Sequence, residues 1–169
     1  PEVLPAVRNM IRLRYALLPY LYSEFMKAAL ENTSYFRPLA FDYPDDPDAR
    51  EVEDQLLLGE GLMAAPVYVQ NAHGRHVYLP EPMKLLILPA GHHYIRCALD
   101  EVLLFLRPGH IVPVAQPANN TSELDDASLT LWSFLPDGES AEYRMYRDDG
   151  VTTEYEKKEH WKTLQIHHS

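Results

Sequence analysis

Carboxylates are the most abundant reactive groups in this 169-residue sequence, with 25 aspartates and glutamates against 15 lysines and arginines. Two clusters stand out: Asp45, Asp46 and Asp48 in "YPDDPDAR", and Asp148 with Asp149 in "YRDDG". Enzymes that cleave glycosidic bonds with retention hold two carboxyls about 5 Å apart, one as nucleophile and one as acid/base. Neither cluster sits where that demand is easily met. Asp46 before Pro47 has the chemistry of a helix N-cap, and Asp45 and Asp48 belong to the adjoining turn and first helical turn. Asp148 and Asp149 precede Gly150 at a turn, where adjacent side chains diverge.

The other candidates are weaker. His73 and His76 share a loop, His92 adjoins His93, His110 lies further on and His167 adjoins His168. None has a helical i, i+4 partner or a cysteine pair, so no zinc pattern forms. The one cysteine, Cys97, excludes an internal disulfide and reads as apolar filler within a strand. There is no G-x-S-x-G nucleophile turn and no glycine-rich phosphate loop. Arg37 at a strand end has the geometry to pin a sugar hydroxyl, but an ion pair with Asp42 is the simpler expectation. Trp132, Trp161 and some of the eleven tyrosines could form a sugar-stacking platform or fill a core. Asn32, Asn119 and Asn120 match the N-glycosylation pattern and are read as loop residues.

The elements that would carry these groups fall into two textures. Over "RNMIRLRYALLPYLYSEFMKAAL", Met10, Leu13, Leu17, Leu21, Phe25 and Ala28 recur at helical spacing and predict one amphipathic helix with a buried stripe. Pro19 predicts a kink or restart near Leu18. "SYFRPLAF" is strand-like, with Pro38 at its edge. Asp46 to Leu58 is expected as a helix that Gly59 terminates. From Leu62 onward, short apolar runs alternate with turn residues, through "LMAAPVYV", "HVYLP", "HHYIRCAL" and "EVLLFLRPGHIVPVA" to "AEYRMYRDDG", "TTEYEKKEH" and "WKTLQIHH", the pattern of a mainly β, antiparallel β-sandwich. Tyr143, Met145 and Val151 are expected to face the core, and "DDG" to be a hairpin turn. The boundary falls near residue 60, giving segments 1–60 and 61–169.

A net charge of −10 argues against nucleic acid or anionic membrane as a partner. No apolar run approaches about 18 residues and "PEVLPAVRNM" lacks signal-peptide regions, so a cytoplasmic location is expected. The first residue is not methionine, which hints at a piece of a longer chain.

In order, "RYALLPYLYSEFMKAA", "YFRPLAFDYPDD", "VEDQLLLGEGLMAAPVYVQNAHGRHVYLP", "LDEVLLFLRPGHIVPVA" and "YRDDG" resemble glycoside hydrolase family 31, the α-glucosidase family, over Arg8 to Tyr155. The resemblance implies a C-terminal part: the last helix-strand-helix elements of a (β/α)8 barrel, with Tyr35 to Phe41 as the last barrel strand, followed by the β-sandwich. It implies hydrolysis of terminal α-linked glucose by two aspartates located upstream of Pro1, so no catalytic, substrate-binding or metal residue is carried over, and no cofactor is implied. The implied partners are the N-terminal remainder of the same enzyme and an oligosaccharide substrate. "EPMKLLILPAGHHY" departs from the family in lacking tryptophan, and "RPGH" replaces a common glycine pair while keeping Gly109. A free-standing carbohydrate-binding sandwich is the alternative, and an interaction module using the acidic loop 117–128 a third.

Overall fold

Pro19 sets the geometry of the first segment. The computed structural model describes residues 3–85, 87–98, 101–118, 120–125, 128–152 and 158–168, and begins with α1 over Val3–Ala16 and α2 over Leu18–Glu31. Proline has no N–H and fits the first turn of a helix, so the segment restarts at Leu18 as the sequence predicts. α2 closes on Asn32, whose left-handed conformation (φ 55°) returns its N–H to the Ala28 carbonyl.

The buried face of α2 is not the expected apolar stripe. Leu17 is buried, but Phe25 is 51% exposed, while Tyr20, Ser23, Glu24, Met26 and Lys27 are buried. A charge leaves water only when it is partnered. Here the Lys27 ammonium lies 2.8 Å from Glu24 Oε1 and 4.1 Å from the Tyr143 ring centroid. Glu24 also accepts the Tyr143 hydroxyl at 2.8 Å and the Glu60 amide at 3.0 Å. These bonds let a polar face pack where an apolar one was expected.

The next elements are shorter than the sequence suggests. β1 covers Phe36–Pro38 and gives way to a helical turn, α3, at Leu39–Asp42. α4 covers Pro47–Glu51, with Asp46 capping the amides of Asp48 and Ala49. The helix expected as far as Leu58 stops there, and Leu56–Leu58 form β2. Gly59 (φ 62°) is the turn that returns β2 onto β3, Leu62–Ala64, not a helix terminus. β1 pairs antiparallel with β2 and is the terminal strand of the sheet that follows.

The remaining strands are β4 (Gly74–Leu79), β5 (Met83–Lys84), β6 (Ile87–Leu88), β7 (Gly91–Arg96), β8 (Leu104–Leu106), β9 (Ile111–Val114), β10 (Thr130–Ser133), β11 (Ser140–Tyr146) and β12 (Trp161–His167). A six-stranded sheet has the order β1-β2-β3-β8-β5-β6, and β9–β10, β11–β12 and β4–β7 form antiparallel pairs. Sheet hydrogen bonds thus cross the position near residue 60 at which the sequence texture changes.

Alternation along the central sheet produces two cores. Leu62, with Leu58, Leu104 and Leu106, faces a layer built from Ala16, Leu17 and Tyr20, β9 and β11. Met63, with Leu57 and Phe105, faces the opposite layer: Leu39 and Ala49 from α3 and α4, Val77 and Leu79 from β4, and Cys97. The observed fold is therefore an antiparallel sandwich with a further layer on the second face of its central sheet. Tyr143 and Met145 face the core as expected, but Val151 is 86% exposed. Of the run "TTEYEKKEH", residues 153–157 lie outside the described residues, and Lys158–His160 form a 3-10 turn rather than a strand. The "DDG" turn opens a longer connection between β11 and β12, not a tight hairpin.

A Cβ at Gly59 would lie 2.3 Å from Glu24 Cγ, on a backbone with positive φ. Gly59→Ala is expected to destabilise the chain by roughly 2–4 kcal/mol, the sum of left-handed strain and overpacking. Urea denaturation with a matched m-value would measure it.

Candidate functional site

Three places gather the groups singled out in the sequence. The first is the crossing of β1, α3 and β8. Arg37, whose side chain is 18% exposed, meets Asp42 in a two-pronged pair, Nε to Oδ1 at 2.7 Å and Nη2 to Oδ2 at 2.9 Å. It also donates to the carbonyls of Ser34 (2.7 Å) and Gly59 (3.1 Å). Arg107, from the "RPGH" segment, donates to Asp42 Oδ2 at 2.9 Å, Glu81 Oε1 at 2.9 Å and the Tyr43 hydroxyl at 2.9 Å. Tyr43 in turn donates to Glu81. With both guanidinium groups committed to protein acceptors, this is a brace joining loops, not an open subsite. The Arg37 hydrogen bonds, and then the charges of Arg37 and Arg107, hold the Asp42 carboxyl below the usual range.

The second is the turn at Asp148 and Asp149. Asp148 Oδ2 accepts from the hydroxyls of Tyr22 (2.8 Å) and Tyr146 (3.3 Å), and its Oδ1 from the Gly150 amide (3.0 Å). Asp149 Oδ1 accepts instead from the amides of Val151 (3.0 Å) and Thr152 (2.9 Å) and from the Thr152 hydroxyl (3.0 Å). The two carboxylates serve different parts of the turn, as their adjacency predicts. Burial and the bond to Asp148 push the Tyr22 hydroxyl pKa well up, so it stays a donor. An open cleft of about 700 Å³ lies alongside, between Leu18, Pro19, Tyr22 and the turn.

The third is the outward face of β4 and β7, which carries His76, His92, Tyr78 and Tyr94. Asp46, the cap of α4, also accepts the Tyr78 hydroxyl at 2.6 Å, which raises that tyrosine's pKa to about 12. Asp48 lies 3.3 Å from His92 Nε2.

The other candidates are separated by the fold. The Trp132 ring packs against the first core, whereas Trp161 stands edge-on to Tyr146 (centroids 5.0 Å) under the Arg144 guanidinium. They form no shared platform. Cys97 is buried, its thiol donating to the Glu101 carbonyl at 3.3 Å. His110 is held toward its neutral form, first by burial and then by Arg107. Asn32 is the exposed cap of α2, Asn120 donates to Glu123, and Asn119 lies outside the described residues. Among the described residues no group of three or more His, Cys, Asp or Glu has a metal-holding arrangement, and no helix is long and apolar enough to cross a membrane.

Asp42's depressed pKa has a defined consequence. Its stabilisation is fully present above the unfolded carboxyl pKa of about 3.9 and is lost as pH falls through the lower folded value. Asp42→Asn is expected to cost about 1–2 kcal/mol at pH 7, by weakening charge-assisted bonds at a partly exposed site. The gap between variant and parent should close below about pH 4 in paired denaturation curves; a pH-independent gap contradicts the role of the charge.

Comparison with known proteins places this geometry. Residues 32–112, from the cap of α2 into β9, match the Glycosyl hydrolase family 31 C-terminal domain. The chain is 31% identical over 157 residues to Alpha-glucosidase 2 of Bacillus thermoamyloliquefaciens, covering 89% of this chain and 20% of that protein. It is 32% identical over 173 residues to human Neutral alpha-glucosidase AB, covering 94% of this chain and 18% of that protein. Among solved structures, the Flavobacterium johnsoniae GH31 dextranase complexed with glucose superposes with a TM-score of 0.80 at 26% identity, over 96% of this chain and 21% of that one. The chain thus spans about a fifth of the length of the relatives it matches. With sequence and fold in agreement, the chain belongs to glycosyl hydrolase family 31, as a C-terminal part of it.

Proposed function

We propose that this chain is the C-terminal portion of an α-glucosidase-like glycosidase that hydrolyses terminal α-linked glucose with retention, through two aspartates carried by polypeptide N-terminal to Pro1. Its own role is structural: segment 1–60 contributes to the seam with a catalytic barrel, and 61–169 buttresses it. The observation that carries this is the exposed apolar face of α1, where Val3 is 62%, Leu4 64%, Val7 47% and Ile11 51% exposed. Phe36 and Phe41, 52% and 68% exposed, are further uncovered apolar side chains of segment 1–60. A face of this kind on a helix calls for a packed neighbour. The relatives' extra length supports a barrel of the same polypeptide as that neighbour.

The aspartates support the same assignment. Asp42, Asp46, Asp148 and Asp149 each hold a brace, cap or turn, which leaves none of them free as a nucleophile. The oligosaccharide substrate would then bind mainly to barrel loops. The single buried thiol of Cys97 is compatible with a cytoplasmic setting.

Two outcomes test this. The 169-residue chain should show no turnover of p-nitrophenyl α-glucoside, while the protein that includes the preceding polypeptide should hydrolyse it and release the α-anomer first, as proton NMR would report; turnover by the chain alone would refute the assignment. The chain alone should also self-associate in sedimentation velocity, and the double variant Val7→Glu, Ile11→Glu should return it to monomer.

A further inference from the structure

The antiparallel pair β4 and β7 turns an unusual face outward. Strand alternation sends Val77 and Leu79 into the second core and leaves His76 exposed, while the half-buried Tyr78 packs against the edge of that core. Register places His76 opposite Tyr94 and Tyr78 opposite His92. The rings meet in pairs, with centroids 5.1 Å apart for His76 and Tyr94 and 4.7 Å for Tyr78 and His92. Successive pairs lie about 7 Å apart along the strand. Tyr94 is 57% exposed, and nearby Tyr68 is 69% exposed.

Two of these tyrosines are held in place. The Tyr78 hydroxyl is tied to Asp46, and the Tyr68 hydroxyl to Asp54 at 3.1 Å. Arg75 lies 5.8 Å from the Tyr68 ring centroid and donates to the Asp54 and Pro66 carbonyls. The buried Gln55 side chain bonds both the amide and the carbonyl of Tyr78, at 2.7 Å each, and so fixes β4 against the segment that follows α4. Between that segment and the rings lies an open cleft of about 560 Å³, rimmed by Glu51, Glu53 and Asp54.

We propose that this face and its cleft form a non-catalytic binding surface for a neutral oligosaccharide chain. Ring faces are apolar and electron-rich, and suit the C–H face of a pyranose. Glu51 and Glu53 on the rim supply carboxylate acceptors for sugar hydroxyls, and the rim's negative charge disfavours phosphates and acidic glycans. The Tyr78 and Tyr68 rings, already fixed by hydrogen bonds, lose little freedom on binding. A basic peptide is the competing occupant, but Asp46, Asp48 and Asp54 already take donors from Tyr78, His92, Tyr68 and Arg75. The surface needs no assumption about catalysis: its loss would leave hydrolysis by the longer protein unchanged, and absent hydrolysis would leave its binding unchanged.

The test is affinity electrophoresis of the chain in native gels containing dextran or glycogen, with calorimetric titration of maltoheptaose. Retardation by at least one glucan is expected, and Tyr94→Ala and Tyr68→Ala should each weaken binding about 5-fold, the scale of a lost stacking contact. Phe41→Ala, an exposed ring on α3, should bind as the parent does. Unchanged mobility in every glucan, undiminished binding by both tyrosine variants, or retardation by a polylysine peptide alone would each overturn the proposal. Should the chain not fold by far-UV circular dichroism, the same variants in the longer protein, its catalytic site saturated with a small glucosidase inhibitor, give the same readout.

Discussion

The Glu24 carboxylate is the point on which the two halves of the chain depend. It sits on α2, takes the Lys27 ammonium and the Tyr143 hydroxyl on one oxygen, and receives the Glu60 amide on the other. Helix, β2–β3 turn and β11 are thereby joined by one group. Tyr20 repeats the connection one turn earlier, donating to the Leu58 carbonyl at 2.6 Å and accepting the Gly61 amide at 2.8 Å. Burial, followed by the charge of Glu24, raises the pKa of both Tyr20 and Tyr143, keeping their hydroxyls as donors. A buried pair of this sort adds little net stability over apolar packing, but removing one partner strands the other. In the observed docking of α2 on the sandwich, all four groups are satisfied.

That docking explains what the sequence could and could not reveal. The break at Pro19, the Asp46 cap and nearly every strand after Leu62 were legible, because each follows from local backbone chemistry or alternation. The buried face of α2 was not. Apolar periodicity points to Phe25, but burial follows Tyr20, Glu24 and Lys27, whose partners are more than thirty residues away or on the opposite strand layer. An i, i+3 pair of opposite charges beside tyrosines was the available signal, and on most helices it marks a solvated face. Gly59 misled for a related reason. A left-handed glycine ends a helix and turns a hairpin with the same φ, and only the leucine partners of β3 decide between them.

The candidate chemistry was legible at a coarser level. Spacing alone was enough to assign Asp148 and Asp149 to a turn and Asp46 to a cap. The ion pair of Arg37 with Asp42 followed from proximity in sequence, but Arg107 and Glu81 did not, since they arrive from strands far along the chain. The ring face of β4 and β7 was hidden more deeply. Histidine and tyrosine in "RHVYLP" and "HHYIR" read as ordinary strand residues until the register sets them opposite one another.

Two exposed faces then remain, and their chemistry differs in a way that bears on what covers each. The α1 face is aliphatic along Leu4, Val7 and Ile11 on one side of the helix, with Arg8 and Arg12 beside it. Burial there gains from area and close packing, which a protein neighbour supplies and a hydrated sugar does not. The β4–β7 face is aromatic and rimmed with acceptors, and Tyr78 and the neighbouring Tyr68 are tied at their hydroxyls. A protein partner would have to desolvate those carboxylates, at a cost that rises with each one left imperfectly paired. A polyhydroxylated chain brings a hydroxyl for each acceptor and an apolar face for each ring, and can leave the outer oxygens in water. One face is therefore suited to become interior in a longer polypeptide, and the other to stay at the surface and work there.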